Sequence, residues 1–323
     1  MTTSARISFV LLAVSLVLIS WLQLGTLLVT ALFGYFALQK LSIGGHRAIG
    51  AVLYLILVGA VGWAFFFFAR QAYVSLPKIA DSAIPAVVKY TEEQGIELPF
   101  TDYASLRTAT LKKAQEKPAN VGHFLRRVAF QAALLVIGLV VALSMFLSAR
   151  WGSETDSHES RDSLYATVVR ELAIRFETFF ASFRLVMGAQ ITISAINTAL
   201  TAVFLIWTGY PHKLVLAGLT FLFGLVPIIG NICSNTLIVG VGFTVSPKSA
   251  LLALLFLVVI HKLEYLLNSR IIGARIRNPM WLTLIALVLG ETLMGVPGLM
   301  LAPVVLHYVR VETSKATTAE ATP

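Results

Sequence analysis

Charged side chains are scarce in this chain: 13% of its 323 residues are Asp, Glu, Lys or Arg, where a soluble domain carries about 25%. Apolar residues make up 57% and the mean hydropathy is +0.83. A soluble fold of this length needs more polar groups than that for its water-facing shell alone, so the bilayer is the solvent that fits. Acidic residues are scarcer still, 16 against 25 Lys and Arg. Twelve of the 16 fall in Gln71–Arg127 and Arg150–Arg184, leaving Glu264, Glu291, Glu312 and Glu320 outside. A single cysteine, Cys233, excludes an internal disulfide and a cysteine-built metal cluster. There is no GxxxxGK[ST] loop, no HExxH helix and no GxSxG elbow, so neither ATP-driven transport by this chain alone nor these kinds of enzyme is expected. The net charge of +9 is spread over loop ends, which reads as membrane topology and headgroup attraction rather than nucleic-acid binding.

The apolar residues come in runs. Ile7 to Gln39 is too long for one crossing of a roughly 30 Å hydrocarbon core, and its soft break at Trp21–Gly25 predicts two helices meeting near Gln23 and Gly25. The N-terminal run passes the length of a signal h-region without a cleavage site and reads as a retained anchor. Lys40–Arg47 is a short basic loop expected on the cytoplasmic side. Ala48–Ala69 and Val128–Ala149 are further spans, flanking a polar stretch at Gln71–Arg127 punctuated by Pro77, Pro85, Pro99 and Pro118. Leu164, Val168, Leu172, Phe176, Phe180 and Phe183 recur at helical spacing, predicting an amphipathic helix on the membrane or against the bundle. Leu185–Thr208 is a span, with Gln190 and Asn197 on one face; such residues more often join helices than bind substrate.

The last third is different. FLFGLVPIIGNICSNTLIVGVGF carries Gly224, Pro227, Gly230, Asn231 and Asn235; WLTLIALVLGETLMGVPGLMLAPVVL carries Gly290, Glu291, Gly295, Pro297, Gly298 and Pro303. Proline removes an amide donor and clashes with the preceding turn, so both segments must kink or unwind. Non-helical backbone at membrane depth survives where protein or a water-lined cavity satisfies it, and a pair of such segments points to a transport site. The bland alternative is two kinked helices packed through small residues. Arg270, Arg275 and Arg277 cluster between the segments, which favours a cytoplasmic position and a re-entrant hairpin over Leu214–Phe243. An ionisable residue at membrane depth is a functional candidate by default. Glu264 has the alternative of pairing with Lys262 or Arg270, and Glu291 of satisfying unwound backbone amides.

These residues carry a resemblance. GLVPIIGN at Gly224–Asn231, Glu264 ahead of an Asn- and Gly-containing loop, Pro279 opening an apolar run, and the Gly290, Gly295, Gly298, Pro303 series are together similar to the autoinducer-2 exporter-like permeases. The resemblance runs over nearly the whole length, with departures at Arg270, where relatives often have proline, and at Asn278, where a His commonly precedes Pro279. It implies an oligomeric permease of the bacterial inner membrane, exporting a signal such as autoinducer-2 or a related small polar solute, or alternatively exchanging sodium or lithium for protons.

The expected fold is therefore all-α: a polytopic membrane protein of about eight membrane segments, some broken or re-entrant, with both termini cytoplasmic. The expected organisation is N-terminal membrane helices (1–70), a polar helical insertion (71–127), a span (128–149), a polar loop and amphipathic helix (150–184), a C-terminal membrane module (185–311) and a polar tail (312–323). Expected transport-pathway residues are Gly224, Pro227, Gly230, Asn231, Asn235, Glu264, Arg270, Pro279, Glu291, Gly295, Gly298 and Pro303. No cofactor, metal or nucleic acid is expected. The expected partners are the bilayer, a small polar solute or monovalent cation, and further copies of the chain. A non-transporting scaffold that binds partners through Gln71–Arg127 is a further alternative.

Overall fold

The computed structural model describes residues 3–42, 46–93, 118–148, 164–227, 229–271 and 279–320. Among them are ten helices and no strand: α1 (Thr3–Trp21), α2 (Gly25–Leu41), α3 (Arg47–Glu93), α4 (Pro118–Leu147), α5 (Leu164–Trp207), α6 (Lys213–Gly224), α7 (Ile229–Val245), α8 (Pro247–Ile271), α9 (Met280–Met294) and α10 (Val296–Glu320). The all-helical expectation holds. Four of the helices contain stretches long and apolar enough to cross a membrane, namely α1, α3, α4 and α5; α2, α6, α7 and α9 are apolar but shorter. On α3, Val52, Leu55, Ile56, Val61, Trp63 and Phe65 to Phe67 are all exposed, as side chains solvated by lipid are.

The break expected near Gln23 falls between α1 and α2, with Gln23 itself in the left-handed region at φ 57°. Two helices run further than expected. α3 continues through Pro77 and Pro85 to Glu93 as one 47-residue helix. Both prolines sit on its exposed side, while Ala72, Ser75, Ile79, Ala83 and Val88 form a buried stripe that carries the helix past them. The amphipathic segment and the span that follows it are likewise one 44-residue helix, α5. The Gln94–Lys117 part of the polar insertion and the 149–163 loop lie outside the described residues, as do Arg275, Arg277 and Asn278.

The chain divides into two compact units. Unit 1 comprises Met1–Val58, Ala129–Gly188 and Arg275–Pro323; unit 2 comprises Gly59–Val128 and Ala189–Ala274. In unit 1, Phe179, Phe180, Phe183 and Met187 of α5 pack with Val29 and Leu32 of α2 and Leu301, Val304 and Tyr308 of α10. The amphipathic stripe of α5 thus faces the bundle. Its N-terminal Leu164 is exposed, and burial deepens toward Phe183. α9 and α10 form a helical hairpin turning at Gly295 (φ 65°). The backbones of its two arms approach so closely that a Cβ on Gly298 would lie 1.8 Å from the Gly290 carbonyl oxygen.

Unit 2 is built around Phe204, Leu205, Tyr210, Leu216, Ile238, Val241, Ala253 and Leu257, with Ile79 of α3. α6 and α7 also form a hairpin. α6 has 12 residues, about 18 Å at 1.5 Å per residue, short of a full crossing. Ser246 starts α8: its Oγ accepts the Ser249 amide proton at 3.0 Å, and Pro247 follows at the first helical position. Tyr210, in the loop between α5 and α6, donates to the Ser249 carbonyl at 3.0 Å. Burial pushes its phenol up to about 12, so it remains a donor.

Candidate functional site

The turn between α6 and α7 is where Gly224, Pro227 and Gly230 gather. The last carbonyls of a helix lack intrahelical partners, and α5 supplies them here. Gln190 Nε2 donates to the Gly224 carbonyl at 2.6 Å and Ser194 Oγ to the Phe221 carbonyl at 2.8 Å. Two glycines make this geometry possible. A Cβ on Gly224 would lie 2.5 Å from Ser194 Oγ, and one on Gly230 would lie 1.7 Å from the Phe223 carbonyl oxygen.

In the first turn of α7, Asn231 meets Glu264 of α8. Asn231 Nδ2 donates to both carboxylate oxygens, at 2.9 Å to Oε1 and 2.7 Å to Oε2. Asn197 Nδ2, from α5, reaches Oε2 at 3.4 Å. Glu264 therefore joins three helices through amide donors. The alternative pairing with Lys262 is not formed: that side chain is exposed, and Glu264 makes no ion pair among the described residues. The side chain of Arg270 lies outside the described residues.

Around this carboxylate is a cavity of about 10 Å³, lined by Asn197, Thr201, Thr220, Asn231, Ser234, Asn235, Leu257, Ile260, His261 and Glu264. That is room for one water-sized particle. Asn235, expected from the first interrupted segment, lines it. Thr201, Thr220 and Ser234 were not singled out from the sequence, yet the signal was there. Gln190, Ser194, Asn197 and Thr201 repeat every three or four residues along α5, and Ser234 and Asn235 lie three and four residues after Asn231 along α7, each set marking one helical face. Gln190 and Ser194 join helices as expected of such residues; Asn197 instead serves the carboxylate.

The second interrupted segment belongs to unit 1. Gly290, Gly295 and Gly298 shape the α9–α10 hairpin; Pro303 lies within α10, and Pro279 immediately precedes α9. The Glu291 side chain is exposed and makes no hydrogen bond among the described residues. Near this turn Gln23 Nε2 donates to the Leu293 carbonyl at 3.0 Å, supplying a partner at the C-terminus of α9. No cluster of three or more His, Cys, Asp or Glu side chains able to hold a metal occurs among the described residues.

The Glu264 carboxylate of α8 is thus held by amides from two other helices, beside a glycine- and proline-broken turn. Residues 7–314 match the family described as AI-2E family transporter. The chain belongs to that family. Over 179 residues it is also 24% identical to "Putative transport protein YdbI" of Bacillus subtilis (strain 168), an alignment covering 53% of this chain and 51% of that protein. This AI-2E family member thus spans about half the length of the curated relative it matches. Its family and its long apolar helices make it a multi-pass membrane protein.

Proposed function

We propose that this AI-2E family member is a secondary permease of the cytoplasmic membrane, exporting a small polar solute such as an autoinducer-2-like signal. In this reading the α6–α7 turn and the Glu264 cavity form part of its path. The observation that carries the proposal is the Glu264 carboxylate held by Asn231 and Asn197 beside the broken turn, a polar centre built where three helices meet. At about 10 Å³ the cavity admits one water-sized particle, so passage of a metabolite requires the α6–α7 hairpin to move, and Gly224, Pro227 and Gly230 place a hinge there. Gly295, Gly298 and Pro303 provide the corresponding break in the second hairpin. Basic Lys40–Arg47 and Arg270–Arg277 support a cytoplasmic position for both loops and both termini.

Transport into proteoliposomes tests the proposal. Uptake of a labelled small polyol or signal analogue by the full chain, abolished in Glu264→Gln and retained in Glu291→Gln, supports it. Sodium, lithium and potassium pulses with a trapped pH dye separate it from exchange of cations for protons. Cation-driven proton flux without solute uptake overturns it in favour of exchange.

A further inference from the structure

Along α3, the run Val61–Arg70 is exposed at every position except Phe68, which is half-buried. Its ring rests on Gly218 of α6. A Cβ on Gly218 would lie within 3.1 Å of three carbons of that ring, so the missing side chain is what lets the ring lie directly against the helix. Two positions on, Thr220 lines the Glu264 cavity. At 3.6 residues per turn, side chains two positions apart point about 200° apart. α6 therefore stands between the cavity on one side and the Phe68 ring on the other. It is also the lightest wall: α5, α7 and α8 each place at least two residues in the lining, and α6 places Thr220 alone. At about 10 Å³ the cavity must widen to pass anything larger than water. Withdrawing α6 widens it, and that movement carries α6 into Phe68.

We propose that Phe68 is the backstop of the α6–α7 hairpin: its ring sets how far α6 withdraws from Glu264, and so sets the largest solute the path admits. The proposal rests on reading the Glu264 cavity as part of the permease path, and it names the residue that limits the opening. Gln190 and Ser194 grip α6 through the Gly224 and Phe221 carbonyls, which fixes its C-terminal end. The helix then pivots about that end, and Phe68 meets it one turn away, at Gly218. A stiff aromatic ring presents a broad stop at that point. Phe65, Phe66, Phe67 and Ala69 beside it are all exposed, so the outer side of the ring is open. The ring can leave by a change of side-chain rotamer. It thus limits the travel of α6 without locking it.

The test uses the full chain in proteoliposomes with two readouts. One is uptake of labelled erythritol, xylitol and sorbitol, probes of rising size. The other is the spin-label distance between Cys233, the only cysteine of the chain and exposed on α7, and Val258→Cys on the exposed side of α8. Phe68→Ala is expected to raise the ratio of sorbitol to erythritol uptake roughly tenfold, the scale on which pocket size discriminates, and to add a longer-distance population. Phe68→Trp should lower the ratio. Gly218→Ala puts a methyl group between α6 and the ring, so it should lower the ratio in wild type and have no effect beside Phe68→Ala. A ring that only fills space would move the unfolding midpoint and leave ratio and distances alone. If Phe68→Ala does not fold, Phe68→Leu keeps apolar bulk, loses the breadth of the ring and should shift both readouts the same way. Ratio and distances unchanged in the folded variant, or Gly218→Ala acting equally in both backgrounds, overturn the proposal. No polyol uptake by any chain, with the longer population still present in Phe68→Ala, sinks only the permease reading. Polyol uptake by wild type, with ratio and distances unchanged in Phe68→Ala, sinks only the backstop.

Discussion

Asn231 Nδ2 donates to both oxygens of Glu264, at 2.9 and 2.7 Å, and so ties the first turn of α7 to α8 next to the α6–α7 turn. Replacing Asn231 by leucine keeps roughly the volume and removes the donor. The carboxylate is then left with the 3.4 Å contact from Asn197. Loss of a hydrogen-bonding partner costs about 1–3 kcal/mol for a fully buried polar group and less for a half-buried one such as Glu264. We expect Asn231→Leu to lose most solute uptake in proteoliposomes while expressing and folding; uptake equal to wild type would remove Glu264 and Asn231 from the path.

The two hairpin approaches make a second prediction. A Cβ on Gly230 or Gly298 would meet backbone oxygen at 1.7 and 1.8 Å, where no side chain can move away. Overpacking of this kind costs about 1–3 kcal/mol or more. Gly230→Ala and Gly298→Ala should each lower the unfolding midpoint in detergent by several degrees, while Gly59→Ala, with nothing near its Cβ, should not.

A third concerns the charged centre of unit 1. Arg175, 6% exposed, donates to Glu312 Oε2 at 2.9 Å, to Ser8 Oγ at 2.6 Å and to the Ala5 carbonyl at 3.4 Å, and its guanidinium lies 3.4 Å from the centre of the Phe9 ring. It thus fastens α1 and α10 to α5. Removing one partner of a buried pair strands the other charge, at about 3–5 kcal/mol. Arg175→Ala should destabilise strongly. Arg175→Lys should not rescue it, because a point charge reproduces neither the forked bonds nor the stacking. Recovery of the wild-type midpoint by lysine would reduce Arg175 to a simple charge.

At the corner between α1 and α2, Gln23 has φ 57°, a backbone state that costs a β-branched residue about 1–2 kcal/mol. Gln23→Val should lower the midpoint through strain and through loss of the bond to Leu293. Gln23→Gly relieves the first and loses only the second, so thermal unfolding of the pair separates the two effects.

Several of these features were legible in the sequence. The corner at Gln23, the two interrupted segments, and the face carrying Gln190 and Asn197 follow from runs of apolar residues, from Gly and Pro within them, and from helical spacing. The continuity of α3 through Pro77 and Pro85 was not. Proline breaks a helix locally, but the burial of Ile79, Ala83 and Val88 keeps it going, and burial is invisible along the chain. Likewise Arg175 lies off the apolar Leu164–Phe183 stripe with other charged residues of α5; only packing shows that α1 and α10 close over it.

What the sequence alone determined is the solvent and the element: so few charges and so much apolar surface call for a bilayer, and apolar runs of span length without alternation call for helices, in which each backbone amide is satisfied within its own segment. What only the tertiary structure decided is which carboxylate has a chamber. Glu264 and Glu291 both lie near glycine-rich breaks in the chain, but Asn197 and Asn231 converge on the first, while the second is exposed. The three residues are separated by 34 and 33 positions along the chain, and helix packing, a long-range property, brings their amides and carboxylate within hydrogen-bonding distance.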